Sequence, residues 1–156
     1  MIMYDYFMLL ALLVSMDSKD PNTKVGACIV SNDNRIISVG YNSIPNGFNE
    51  EHFPWEREGN FLNTKYAYVV HAERNAILGH NGYKDDLYDA TIYVTEFPCN
   101  ECAKEIVQSG IKHIIYLSDK YHNTESSIAS RKILDECGIT YNKLVLSDKI
   151  KNLLKI

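Results

Sequence analysis

ATIYVTEFPCNECAKEIVQSGIKHIIYLS, residues 90–118, is the stretch on which the fold turns. ATIYVT is short, β-branched and apolar, as a strand is. Cys99 to Ser109 has helical character and is stopped by Gly110, and HIIYLS is a second strand. Working upstream, a helix starts at His71 and ends near Gly79, and VGACIVS and RIISVGY, joined by NDN, form a hairpin. Ile2, Tyr6, Leu9, Leu10, Leu13 and Met16 recur at the three- and four-residue intervals of an amphipathic helix, which KDPNTK (19–24) breaks. Downstream, Glu125 to Cys137 is a helix closed by Gly138, and KLVL (143–146) is a last short strand. Past the hairpin, strands and helices alternate. The expected architecture is a three-layer α/β/α sandwich, a mixed sheet of about five strands with helices on both faces, and residues 1–156 as a single domain.

Composition narrows the class. A chain with 46% hydrophobic and 23% charged residues is an ordinary globular one. A formal net charge of -4 supplies no basic field for a long nucleic acid, so no polynucleotide partner is expected. The N-terminal apolar segment carries Asp5 and is too short to span a bilayer, so it reads as a buried helix, with no membrane partner. Four cysteines with no secretory leader fit a reducing, cytoplasmic setting. Between Asn42 and His71 runs a long aromatic-rich connection, NSIPNGFNEEHFPWEREGNFLNTKYAYVV (42–70), of a length that compact domains keep when it has a job.

The chemistry lies in VVHAERNAI (69–77) and EFPCNECAKEI (96–106). Cys99-x-x-Cys102 alone is compatible with half of a structural zinc site, a redox pair or coincidence. Cys28 in VGACIV is a small buried hydrophobe, and Cys137 stands alone at a helix end. With His71, the pair makes three ligands, the number a catalytic zinc takes when it keeps one position open. Cys99 and Cys102 begin a helix, where free backbone N–H groups favour thiolate. Residues 71 and 73 would diverge by about 200° inside a helix. They converge only at its very start, which puts the metal between two helix N-termini. One imidazole and two thiolates leave zinc with little net charge, so a separate base is needed, and Glu73 is placed to be it. Its alternative is an ordinary first-turn glutamate.

His-Ala-Glu at 71–73 with Pro-Cys-x-x-Cys at 98–102 matches a known signature of zinc-dependent cytidine and adenine deaminases. DPNTKVGACIV, GYNSIPNG, PWERE, TKYAYVVHAERNAI and FPCNECAKEIVQSGIKHIIYLSDKYH, over roughly residues 20–122, resemble the deoxycytidylate (dCMP) deaminase family. The resemblance implies a cytidine deaminase-like fold and hydrolysis of dCMP to dUMP and ammonia, with one catalytic zinc per chain. Water attacks C4 of the cytosine while Glu73 protonates N3. Asn42 matches a position that contacts the sugar in related deaminases; its alternative is a turn residue. Ala72 joins the substrate-binding set through the His-Ala-Glu match. For the phosphate, Tyr121 in SDKYH is the favoured donor, with Lys24 and Lys120 as further candidates. Arg74 could serve the site or face a neighbouring subunit. The resemblance also implies a hexamer activated by dCTP with Mg2+ and inhibited by dTTP, through a site including Asn46 and Gly47. Ser43 stands there where family members usually have glycine.

His52, His80, His113 and His122 are read as surface or local hydrogen-bonding residues, and Trp55 as packing for the long connection. A tRNA adenosine deaminase is the rival enzyme, although that group has a shorter connection before His-Ala-Glu and more basic surfaces. Nucleoside-level cytidine deaminases generally have cysteine where His71 stands. A catalytically inactive nucleotide-binding relative is the rival of another class, and it would have no chemical need for Glu73.

Overall fold

The structure is a computed structural model that describes residues 3–155. Ile2, counted into the first helix by periodicity, lies outside the described residues. In chain order the elements are α1 (Met3–Ser15), β1 (Gly26–Val30), β2 (Ile36–Tyr41), α2 (Ala72–Leu78), β3 (Thr91–Glu96), α3 (Asn100–Ser109), β4 (His113–Ser118), α4 (Glu125–Glu136), β5 (Thr140–Lys143) and α5 (Asp148–Leu153). The five strands form one sheet in the order β2-β1-β3-β4-β5. β1 runs antiparallel to both β2 and β3, while β3, β4 and β5 are mutually parallel, so the sheet is mixed.

Alternation along the strands creates the two core layers. Ala27, Ile29, Ile92, Val94 and Ile114 face one side, where Ala72 and Ala76 of α2, Ala103 and Ile106 of α3 and Leu134 of α4 cover them. Cys28, Val30 and Tyr93 face the other, beneath Phe7, Met8 and Ala11 of α1 and Ile150 of α5. Ile92, Ile106, Ile114 and Leu134 are all fully buried, each stabilising the fold by about 1.5–3 kcal/mol relative to exposure. Two close approaches need glycine. A Cβ on Gly26 would lie 1.8 Å from Ala11 O, and one on Gly40 would lie 2.5 Å from Ala76 N. The second lets α2, which carries site residues, sit directly on β2. Ser38 Oγ donates to Ala76 O at 2.6 Å and Asn75 Nδ2 to Tyr41 O at 2.7 Å, fixing α2 along the strand.

The C-terminal reading needs correction. β5 occupies Thr140–Lys143, three residues ahead of the expected KLVL strand. Pairing in register with His113 to Tyr116 consumes the more polar TYNK instead. Leu144 and Leu146 leave the ladder to join the α1–α5 core layer. The short α5 was not anticipated at all; with six residues it is too brief to show a periodicity. The connection from 42 to 70 is ordered by local devices. Ser43 and Val70 exchange backbone hydrogen bonds at 2.9 Å, 3₁₀ turns form at Glu50–His52, Phe61–Asn63 and Lys65–Ala67, and Asn49 and Asn60 cap the first two. Phe48, Phe53, Trp55 and Tyr68 stack into one aromatic cluster, with Phe53 and Trp55 centroids 4.4 Å apart.

Candidate active site

His71 and Cys99 are the N-cap residues of α2 and α3, both extended (φ/ψ −71/154° and −69/171°). Their carbonyls accept the first helical bonds, from Asn75 N at 3.0 Å and Ala103 N at 2.9 Å. Their side chains are therefore released from helical phase, and His71 and Glu73 can serve the same point. α4 braces the second helix start: Ser130 Oγ donates to Pro98 O at 2.8 Å and Ser126 Oγ to Asn100 Oδ1 at 2.9 Å.

His71 Nδ1 lies 3.3 Å from Cys102 Sγ and 3.5 Å from Cys99 Sγ, and the three donor atoms are all within 4.8 Å of one another. Tetrahedral ligands at about 2.3 Å for sulfur and about 2.0 Å for nitrogen stand about 3.5 Å apart, so the group fits zinc. Glu73 is buried, with Oε2 3.5 Å from Cys102 Sγ, and burial raises its carboxyl above the ordinary range. The two thiols share a proton unequally. The hydrogen bond from Cys102 pulls Cys99 down to about 4, while the same bond, with burial, holds Cys102 well up. The bond to Cys99 raises His71 to about 8. Cys28 lies apart in β1, and burial pushes its thiol up to about 12.

A cavity of about 310 Å³ opens over this group, and His71, Ala72, Glu73 and Cys99 are in its wall. That is room for one small ligand. Asn42 and Tyr121 also line it; Lys24 and Lys120 do not. Both lysines are exposed, and Lys120 Nζ lies 5.1 Å from the centroid of the Tyr121 ring. Those two expectations are corrected: the cationic side chains in the wall are Arg57 and Lys65. His122, expected to be merely a surface or local residue, is in the wall too, and its Nδ1 is 3.0 Å from Asp119 O. Asn46 and Gly47 sit exposed at a turn outside the cavity, with Gly47 at φ +85°. Ser43 Oγ accepts from Asn75 Nδ2 at 2.9 Å, tying the side chain that replaces glycine to α2. Arg74 pairs with Glu105 of α3.

Charge is distributed unevenly around the wall. Lys65 Nζ lies 2.5 Å from Asp20 Oδ2, both buried. Asp119 is matched by Arg131 at 3.3 Å and Lys143 at 3.5 Å. Burial raises the carboxyl of Glu96, whose buried Oε1 has no hydrogen-bond partner among the described residues. Arg57 has no carboxylate within ion-pair distance among the described residues; Tyr66 and Tyr121 lie beside it. Tyr121 OH is 3.4 Å from Thr23 Oγ1, and that bond pulls its phenol below the ordinary value, helped by Lys120 and Arg57. Asn42 is committed elsewhere: Oδ1 accepts from Val25 N at 2.8 Å, and Nδ2 donates to Thr23 O at 2.9 Å. Arg57 and Lys65 carried a weak signal in sequence, as lone cations in the aromatic-rich connection.

A three-layer sandwich whose two helix starts bring together one histidine, two cysteines and a buried glutamate is the architecture of a metal-dependent deaminase. Residues 1–118 match the family described as the cytidine and deoxycytidylate deaminase zinc-binding region. The chain is 49% identical over 142 residues to deoxycytidylate deaminase of Pongo abelii and 48% identical over 142 residues to that of Homo sapiens. Each match covers 90% of this chain and 79% of the relative. The dCMP deaminase of cyanophage S-TIM5, solved with dCMP and dUMP, superposes with a TM-score of 0.69 at 25% identity, covering 90% of this chain and 95% of that one. The chain belongs to the cytidine and deoxycytidylate deaminase family, among its deoxycytidylate deaminases. It is an enzyme of that family, and its fold is the cytidine deaminase fold. No helix among the described residues is long and apolar enough to cross a membrane.

Proposed function

We propose that residues 1–156 form one zinc-dependent deaminase domain that hydrolyses dCMP to dUMP and ammonia in the cytoplasm, supplying dUMP for thymidylate synthesis. The observation that carries this is the buried Glu73 carboxyl beside the His71–Cys99–Cys102 group, in the wall of a cavity that also holds the unpaired Arg57. Identity to deoxycytidylate deaminases over 90% of the chain supports the choice of base and phosphate state.

In this reading His71, Cys99 and Cys102 hold zinc, which supplies Lewis acidity to water in a fourth position left open by three protein ligands. Glu73 accepts the proton of the attacking water as it adds to C4, delivers it to N3, and then serves the exocyclic amine, which leaves as ammonia. Burial suits Glu73 to this work, because a carboxyl raised toward neutrality both takes and returns a proton. Ala72, the first residue of α2 and fully buried in the cavity wall, packs against the base. Asn42 meets the sugar through the lone pair of Oδ1 left over from Val25. Tyr121 and Thr23 hydroxyls and the Arg57 guanidinium receive the phosphate, a donor set that suits a dianion. Lys24 and Lys120 are left as solvated charges.

Activation by dCTP with Mg2+ and inhibition by dTTP belong to the same proposal, with a hexamer as the regulated form. Asn46 and Gly47 on their exposed turn, outside the cavity, are the residues assigned to the effector. A titration with either nucleotide that leaves the rate unchanged removes this part.

The test is ammonia release from dCMP, dCTP, deoxycytidine and a tRNA anticodon stem-loop. Turnover of dCMP well above the others is expected. Activity on the stem-loop alone would establish the tRNA adenosine deaminase reading, and no turnover by zinc-loaded protein would establish an inactive binding relative.

A further inference from the structure

We infer that Lys65 is a positioning residue for the nucleotide end of the cavity: its ammonium, paired with Asp20, locks Asn42 and the 20–25 segment into the geometry that receives substrate. This rests on the deoxycytidylate reading above.

Asp20 is 1% exposed and Lys65 6%. Two full charges removed from water persist only when paired and hydrogen-bonded on all sides, and here they are. Asp20 Oδ1 accepts from Asn22 N at 2.8 Å and Thr23 N at 3.1 Å. Oδ2 accepts from Lys65 Nζ at 2.5 Å and Asn42 Nδ2 at 3.4 Å. Lys65 is itself anchored, its backbone N–H donating to Glu56 O at 3.0 Å. One ion pair thus joins the turn after α1, the end of β2 and the middle of the 43–70 connection. Thr23 extends the network to Tyr121.

Lys65 lines the cavity, yet its charge is already spent. Turning toward a phosphate would strand the Asp20 carboxylate, buried and unmatched, so the residue works through its partners. No hydrogen bond or ion pair among the described residues links Asp20 or Lys65 to His71, Glu73, Cys99 or Cys102. Losing the pair should therefore loosen substrate binding and leave the chemical step intact.

The experiment compares wild type, Lys65→Met and the charge-neutral double variant Asp20→Asn/Lys65→Met, each zinc-loaded. Lys65→Met is expected to raise KM for dCMP by up to about 10²-fold with kcat little changed, as misplacement by one ångström can do. The double variant, with no stranded carboxylate, should fall between the two and keeps the test open if Lys65→Met does not fold. A second readout needs no substrate: amide hydrogen exchange should quicken in residues 20–25 and 56–67 and stay unchanged in 99–109. Unchanged KM in the variant that folds, a loss confined to kcat, or exchange that quickens equally throughout would each overturn the inference. Absence of dCMP turnover by wild type would instead overturn the substrate reading and leave the exchange result to judge the network by itself.

Discussion

At one end of the cavity His71, Glu73, Cys99 and Cys102 come from two helix starts, both seated on one face of the sheet. At the other end Asp20, Asn42, Arg57, Lys65 and Tyr121 come from separate turns, a strand end and the long connection. The first end gathers its groups by short spacings along the chain, so its geometry follows from where two helices begin. The second is held by side-chain bonds between segments remote in sequence, notably Lys65 to Asp20 and Asn42 to Thr23. Chemistry placed on rigid helix starts and recognition placed on loops is a division that lets the reaction stay constant while the ligand's periphery is tuned.

Substitutions at the two ends should separate these roles. The largest effect is expected from Cys102→Ala, which removes a buried ligand: zinc content of the purified protein should fall far below one per chain and ammonia release should vanish with it. Glu73→Gln comes next, with zinc retained and kcat for dCMP reduced by about 10²–10⁴-fold, the range that positioned acid–base groups supply. A near-normal rate in Glu73→Gln would remove the proton-carrying assignment and, with it, the contrast between the ends. Arg57→Ala should cost about tenfold or more in kcat/KM for dCMP, an exposed charge-assisted contact being lost, while kcat/KM for deoxycytidine stays where it was. Equal loss on both substrates would show that Arg57 supports the fold of its loop and does not read the phosphate. The smallest effect is reserved for Lys24→Ala and Lys120→Ala, each within about twofold of wild type, because solvated surface charges contribute little; a larger loss in either would return the phosphate site to the sequence-based choice.

How far each end was legible follows the same division. Alternation in CIV and IYV, the stop at Gly110 and the start of a helix at His71 are local signals, and the sheet with its two helical layers followed from them. The triad was legible because a ligand set has to be spelled in residue types that bind metal, at spacings that helix starts can bring together. Lys65 and Arg57 were not, since a lysine destined for a buried carboxylate and one destined for solvent look alike in a sequence. Lys24 and Lys120 were chosen by proximity along the chain to site motifs, and the cavity wall passes them by. At the C-terminus the apolar KLVL promised a strand, yet the parallel ladder against β4 selected Thr140–Lys143 and left the leucines to the core.

Residue types and short spacings by themselves determined the fold class, the His71–Cys99–Cys102 group and the glutamate beside it, because helices, strands and metal ligation each impose local patterns. Only the tertiary structure decided which cations are consumed by buried carboxylates and which are left for a ligand. Charge pairing depends on distance in space, and Asp20 meets Lys65 at 2.5 Å across a separation that no local pattern records.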